Sequence, residues 1–497
     1  MFYKSTRNSN VKITSAEAIT QGISSDGGLF VPESIPSISF EEIEKLSKMS
    51  YADRAFEVFR KYLTDFTDAE IHYCTDNAYS TKNFDTENIA EIAHLFDGTY
   101  MLELWHGPTC AFKDMALQIL PYFLTTSAKK INLDKKIVIL VATSGDTGKA
   151  ALEGFKDVEG TQILVFYPEQ GVSPMQKRQM TTQEGENVGV CAIKGNFDDC
   201  QNGVKAIFTD NTVKAELDKN SMMFSSANSI NWGRLVPQIV YYVSSYASLV
   251  ADGEIKMGDN INVVVPTGNF GNILAAYYAK HMGVPIAKLI CASNINNVLT
   301  DFINTGVYDR NRQFHATCSP SMDILISSNL ERLLYLLTGE NDSQIKEWFG
   351  QLAETGKYEV NDDVKKVLKS EFYAGFCDDD DTKKTIHDIY AKYSYTCDTH
   401  TAVAVKVYQD YKNETGDTTK TVIASTASPY KFSASVLEAV EGKKSSLDEY
   451  DMIDRLNELS KLDVPASLAS LKTKERRFND SIEKSDMKDY VLKGLGL

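Results

Sequence analysis

Lys136-Ile137-Val138-Ile139-Leu140-Val141-Ala142 runs directly into Thr143-Ser144-Gly145-Asp146-Thr147-Gly148. An unbroken apolar run rich in β-branched residues fits a strand covered on both faces, as the central strands of parallel sheets are. The glycines and small polar residues after it read as a turn into an amphipathic helix. The same order recurs in three places. Gln162-Ile163-Leu164-Val165-Phe166-Tyr167 precedes Pro168; Ile261-Asn262-Val263-Val264-Val265-Pro266 precedes Thr267-Gly268-Asn269-Phe270-Gly271-Asn272; Thr421-Val422-Ile423-Ala424 precedes Ser425-Thr426-Ala427-Ser428-Pro429. Strands alternating with helical stretches predict an α/β fold with its working loops at the carboxyl ends of the strands.

On the amino side of this core, residues 1–100 mix short apolar runs with turn signals such as Ser25-Asp26-Gly27-Gly28 and read as an accessory region. We expect two α/β units after it, over 101–255 and 256–497, with charged helices from Leu447 onward closing over the body. The acidic run Asp378-Asp379-Asp380-Asp381 reads as a solvated loop. No repeat or low-complexity linker separates the units.

The 497 residues are 43% hydrophobic and 24% charged, which suits a packed globular body and argues against disorder or a fibrous architecture. Lys and Arg total 52 against 68 Asp and Glu, a net charge of -16 that repels nucleic acid and anionic lipid from most of the surface. Any anion site must be local. None of the 8 cysteines stands in a C-x-x-C pair, so reduced thiols are expected and no metal site is. Met1-Phe2-Tyr3-Lys4 leads into polar residues, and no apolar stretch reaches the ~18 residues of a membrane span. A cytoplasmic protein is expected.

Two strand-turn-helix junctions can cradle an anion, because amide groups converge at a helix N-terminus and glycine lets the ligand approach. Neither is a familiar nucleotide motif. A phosphate loop ending at Gly148-Lys149 needs glycine at 143 and a hydroxyl residue at 150, where Thr143 and Ala150 stand. A dinucleotide fingerprint through Gly268 and Gly271 lacks the glycine that Pro266 or Ile273 replaces. A third feature is chemical. Trp105-His106-Gly107-Pro108-Thr109-Cys110-Ala111-Phe112-Lys113-Asp114-Met115-Ala116-Leu117-Gln118 starts an apolar helix with one lysine. A half-buried ammonium is costly unless it is paired or chemically altered. Lys113 either pairs with Asp114, turns to solvent, or carries chemistry.

The stretch from His106 to Gln118 resembles the lysine segment of threonine synthases, members of the fold type II enzymes that depend on pyridoxal phosphate (PLP). The resemblance runs through nearly the whole chain: Tyr3 to Arg7, Ser25 to Pro32, Thr143 to Gly148, Asn228-Ser229-Ile230-Asn231-Trp232-Gly233-Arg234, and Gly268 to Asn272. The length and the Ala-Phe-Lys-Asp form are similar to the longer, enterobacterial and fungal branch. The resemblance implies two open, twisted, mostly parallel α/β domains, with Lys113 carrying PLP as a Schiff base beside Phe112. Gly268, Asn269, Phe270, Gly271 and Asn272 would wrap the cofactor phosphate, and Thr426 would meet its ring nitrogen.

By the same resemblance, Ser144, Gly145 and Thr147 would grip the substrate carboxylate, with Asp146 beside the cofactor. Most fold type II relatives outside the threonine synthases carry Asn there, so an ionised Asp146 next to the cofactor's phenolate oxygen demands a shared proton. Ser428 departs from the histidine common in the family. The implied substrate, O-phospho-L-homoserine, brings a second phosphate, for which Asn228, Asn231, Arg234, Lys149 and Ser144 are candidates; the plain alternative for Arg234 is a surface ion pair. His106 and His400 are further candidates to line the site. The implied activity yields L-threonine and phosphate, from a monomer or homodimer. The competing readings are a serine or threonine dehydratase-like PLP lyase and a silent relative that only binds.

Overall fold

The computed structural model describes residues 1–497 apart from Asp97, Ser144 and Gly171 and the side chain of Asp198. Two parallel-type sheets dominate it. The larger has six strands in the order Phe372–Phe376, Ile286–Ser293, Ile261–Pro266, Thr421–Ser425, Thr99–Glu103 and Glu91–Phe96. All neighbours are parallel except the last pair, which is antiparallel. The smaller is wholly parallel, in the order Ser481–Glu483, Val188–Lys194, Thr161–Pro168, Lys136–Ala142, Met222–Ser225.

The apolar runs have this fate because successive side chains of a strand point to opposite faces and both faces are covered. Ile137, Ile139 and Val141 enter the main core, whereas Val138 and Leu140 enter a separate cluster with Leu164, Phe166, Met487 and Val491. In the larger sheet Val263 and Val265 face the main core, and Val264 and Ile423 face a third cluster. The helix Trp232–Ala251 is buried over nearly its whole length, packed among other helices such as Gly271–Met282 and Tyr51–Tyr62. A helix apolar on every side has no solvent face to lose.

The sheets cross the linear division into 1–100, 101–255 and 256–497 at two points. Glu91–Phe96 and Thr99–Glu103 join the larger sheet, whose other strands all lie after residue 256, and Ser481–Glu483 closes an edge of the smaller one. The reason for the second crossing is the tail helix Met487–Leu495, whose Met487, Val491 and Leu495 cover the outer face of the smaller sheet. The acidic run is not a loop. Asp378 caps the helix Asp379–Tyr393 by accepting from the Asp381 amide, and a helix N-terminus favours negative charge. Among the described residues, no helix is long and apolar enough to cross a membrane.

The first hundred residues support the body. Strands Tyr3–Ser5, Asn8–Ile13 and Phe30–Pro32 form an antiparallel sheet. Glu331 accepts from Thr6 Oγ1 at 2.6 Å and from Arg7 Nε and Nη2 at 2.9 and 2.8 Å. The neighbouring Arg332, fully buried, donates to Phe30 O and to Asn329 Oδ1. Asn329 in turn donates its backbone N–H to Asn269 O, so the accessory sheet is tied to the glycine turn.

Two contacts fix the lysine segment from below. Leu117 O faces Gly154 of the helix Asp146–Phe155, and a Cβ at 154 would lie 2.0 Å from that oxygen. His106 stacks on Trp105 and hydrogen-bonds Asp85 Oδ1 at 2.7 Å and Glu103 Oε2 at 3.0 Å. Burial opposes its charge, but the two carboxylates outweigh burial and push the imidazole up to about 9. Gly154→Ala is expected to cost about 1 to 3 kcal/mol, because backbone must move, as urea unfolding would measure. His106→Gln is expected to lower stability fully below about pH 6.5, where the paired imidazolium is charged in both states; between about 6.5 and 9 only the folded protein holds the proton, and the difference from wild type fades as pH rises through that window. Unfolding curves across that range check the sign.

Candidate active site

Four loops converge, each leaving the carboxyl end of a parallel strand, which is where open α/β sheets place their chemistry. The lysine loop follows Thr99–Glu103, the start of the helix Asp146–Phe155 follows Lys136–Ala142, the glycine turn follows Ile261–Pro266, and residues 426–432 follow Thr421–Ser425. Backbone contacts register the first with the last. Ala111 bridges Ala427, Phe112 N–H donates to Thr426 O at 2.8 Å, and Ser428 N–H donates to Cys110 O at 3.0 Å.

Lys113 starts the short helix Asp114–Leu117 with its side chain only 11% exposed. Asp114 is not its partner. That carboxylate turns back to accept from Thr109 N–H at 2.8 Å and Thr109 Oγ1 at 2.6 Å. Lys113 Nζ instead lies 3.5 Å from Asp146 Oδ2, 3.5 Å from Ser321 Oγ, and 4.7 Å from the centre of the Phe112 ring. Burial holds the amine below the usual lysine range; Asp146 opposes this, and the positive charges of Lys431 and Arg234 add to it.

Asp146 opens the helix Asp146–Phe155 after Gly145, whose φ of 138° favours glycine and whose missing Cβ leaves room for the Gln176 side chain. Its Oδ1 takes Lys431 Nζ at 2.7 Å and Gln176 Nε2 at 3.1 Å, and its Oδ2 takes Ser321 Oγ at 3.3 Å. Burial alone would raise this carboxyl, but Lys431 and then Lys113 hold it far below the usual range. The charge at Asp146 is met by the buried ammonium of Lys431.

At the glycine turn, Phe270 adopts a left-handed backbone with φ 65°, and the helix Gly271–Met282 begins with no side-chain cap. A Cβ at Gly268 would lie 2.8 Å from Ser321 O. Asn269 is exposed, while Asn272 is buried, its Oδ1 accepting from Tyr241 and Tyr242 and its Nδ2 without a partner. Arg234 is no surface ion pair. It is 3% exposed, its Nη1 donates to Ala227 O, its Nε has no partner, and burial lowers it to about 10. Gln238 Nε2 donates to Arg234 O, and Tyr241 Oη bonds both Gln238 Oε1 and Asn272 Oδ1. Bare amides, an open amide nitrogen and a buried guanidinium make a donor set suited to phosphate. A buried lysine with only a long contact to its carboxylate suits PLP, so the residues present fit that cofactor.

The other candidates divide. Thr426 is buried, and its backbone N–H donates to Thr401 Oγ1 at 3.3 Å. Thr147 is half-buried, Asn228 is exposed, and Ser144 lies outside the described residues. Asn231 is engaged elsewhere: Nδ2 donates to Ile19 O and Ser226 O, and Oδ1 accepts from Gly233 N–H. Lys149 is also committed, to Glu153 Oε2 at 2.8 Å and to Gln183. His400 pairs with Asp398 at 2.8 Å through Nδ1 and accepts the Ser321 N–H at 3.1 Å on Nε2, so it supports the Ser321 turn. His106 is the clamp described above. Ser428 is fully buried with its hydroxyl unpartnered.

Sequence reasoning missed Lys431, Ser321 and Gln176. Lys431 carried the same signal as Lys113, a lone cation between Tyr430 and Phe432 after a buried strand. Ser321 sits in the turn Pro320–Met322, within a stretch that has no periodicity to read.

Comparison with known proteins agrees with this arrangement. The profile "Threonine synthase N terminus" matches residues 2–79, "Pyridoxal-phosphate dependent enzyme" matches 93–361, and "Threonine synthase, C-terminal" matches 401–491. Threonine synthase-like 1 of Homo sapiens is 41% identical over 439 residues, which cover 86% of this chain but 58% of that protein. The chain thus spans less than two thirds of that relative's length. Threonine synthase of Saccharomyces cerevisiae is 38% identical over 487 residues, covering 93% of each chain. The crystal structure of PLP-bound threonine synthase from Brucella melitensis superimposes with a TM-score of 0.88 at 34% identity, covering 99% of both chains. Likeness that extends through both ends and the middle of the chain identifies it as a member of the threonine synthase family, within the fold type II pyridoxal-phosphate dependent enzymes.

Proposed function

We propose that the chain converts O-phospho-L-homoserine and water into L-threonine and phosphate, with PLP held on Lys113. The observation that carries this reading is the buried Lys113 amine, held below the usual lysine range by its burial, in a site that also holds a buried Arg234 with no carboxylate partner among the described residues. The backbone of Gly268 to Asn272 and the free Asn272 Nδ2 would hold the cofactor phosphate, Thr426 its ring nitrogen, and Phe112 would pack beside it. When bound, PLP supplies an electron sink for charge that develops on the substrate carbons.

The rest is work for this chain's residues. The substrate loses phosphate from Cγ and gains water at Cβ, so protons must move at Cα, Cβ and Cγ. Lys113 Nζ is the group for this. Burial holds its amine below the usual lysine range, which eases loss of its proton, as a general base requires. Gly145 and Thr147, with Ser144, would orient the substrate carboxylate at the N-terminus of the helix Asp146–Phe155, with exposed Asn228 at the rim. Arg234 is the first candidate for the substrate phosphate, since Lys149 and Asn231 already have partners. Burial of the amine and of Asp146 keeps bulk water away from the reacting carbons. In this reading the enzyme acts in the cytoplasm, as a monomer or homodimer, on a small-molecule substrate.

Phosphate release from O-phosphohomoserine, set against keto acid release from serine, distinguishes this activity from a dehydratase; activity on serine alone would overturn it. Lys113→Ala should lower turnover by about two to four powers of ten while the protein stays folded by circular dichroism. Borohydride reduction of the loaded enzyme followed by peptide mapping should label Lys113. Arg234→Leu should weaken phosphohomoserine use about ten- to a hundredfold with PLP content retained, measured as kcat/KM beside the cofactor's absorbance.

A further inference from the structure

Two buried lysines face one carboxylate. Lys431 is fully buried, its ammonium 2.7 Å from Asp146 Oδ1 and donating to Thr109 O at 2.9 Å. Lys113 Nζ stands 3.5 Å from the other oxygen of the same group. The inequality matters. One ammonium is in a contact ion pair with a second hydrogen bond of its own; the other is beyond normal hydrogen-bond length. A single carboxylate balances a single cation, and a second cation nearby is disfavoured as long as the first remains.

We infer that Lys431 is a positioning residue for Lys113: by taking the close ion pair with Asp146, it leaves Lys113 only the longer, weaker contact with that carboxylate and so eases loss of the proton from its amine. The inference rests on reading Lys113 as the cofactor lysine. The backbone makes the arrangement dependable. Lys431 lies in the turn Pro429–Phe432, and that segment is stitched to the lysine loop by the Ala111–Ala427 bridge and by Ser428 N–H to Cys110 O. The two lysines therefore hold a fixed register.

Among the described residues, no other group takes Lys431's place. Lys113 is faced by Asp146 from the helix Asp146–Phe155, Lys431 from the turn, Arg234 from the helix Trp232–Ala251, and the neutral Ser321. Asp114 is engaged by Thr109, and His400, behind Ser321, is paired with Asp398. Arg234 and burial also disfavour a charged Lys113, but neither occupies Asp146. Without Lys431, Asp146 would become the counter-ion of Lys113 and lock its proton in place.

The test uses full-length apoprotein freed of PLP. Acetic anhydride labels neutral amines, and peptide mapping across a pH series gives the midpoint for Lys113. Lys431→Met should raise that midpoint by about one pH unit or more. Adding Asp146→Asn should return it to near the wild-type value, since carboxylate and cation are then both gone. Lys431→Arg should leave it nearly unchanged. An unshifted midpoint in Lys431→Met, or one still raised in the double variant, would overturn the inference. If Lys431→Met fails to fold, Asp146→Asn alone decides: it leaves Lys431 unbalanced beside Lys113 and must lower the midpoint, and no lowering refutes the idea. The apoprotein readout is independent of the substrate, so a wrong activity would show in the assays above while leaving this result intact.

Discussion

Asp146 holds its negative charge where there is almost no water, and the surrounding structure is arranged to satisfy it. A bare carboxylate at that depth would take up a proton. Here a buried ammonium, an amide nitrogen and a serine hydroxyl each occupy part of it, from three different segments. Because Lys431 follows a strand of the larger sheet and Gln176 a strand of the smaller one, the charge joins the two sheets. Any displacement of one sheet strands either a buried anion or a buried cation.

The glycine turn shows the same economy in another form. Its amides are left without capping side chains, its one buried amide nitrogen has no partner, and a guanidinium on the adjoining helix lacks a carboxylate. In a protein of net charge -16 this local surplus of donors stands out. The accessory sheet contributes at a distance, because Arg332 binds both Phe30 O and Asn329, and Asn329 binds the turn. Donors that remain unsatisfied inside a folded protein are expensive, so a site that keeps several of them is one shaped for an anion.

What was legible in the sequence was local. The buried strands announced themselves as apolar runs, the turns as glycine beside small polar residues, and Lys113 as a charge in apolar surroundings. The resemblance to a family ordered these pieces. What could not be read depended on pairing across long separations. Ser481–Glu483 is too short and polar to look like a strand until it meets Val188–Lys194. Asn231 and Lys149 have the right chemistry for a ligand, and only the fold reveals that Ile19, Ser226, Glu153 and Gln183 have already used it. The acidic run at Asp378 misled because charge density suggests a loop, whereas its first carboxylate caps a helix.

The position of Thr99–Glu103 between its antiparallel partner and Thr421–Ser425 bears on how the protein is made. Thr99 pairs with Thr421 and Glu103 with Ser425, and the lysine loop then takes its shape from Thr426 and Ala427. A ribosome delivers Lys113 early and these partners late. Until they are made, Lys113 has neither its backbone bridge nor the ammonium of Lys431 nearby. The lysine loop and the segment that shapes it are made far apart in the chain, with Lys431 donating to Thr109 O across 322 residues, so the loop takes its final form only once that distant segment has been delivered.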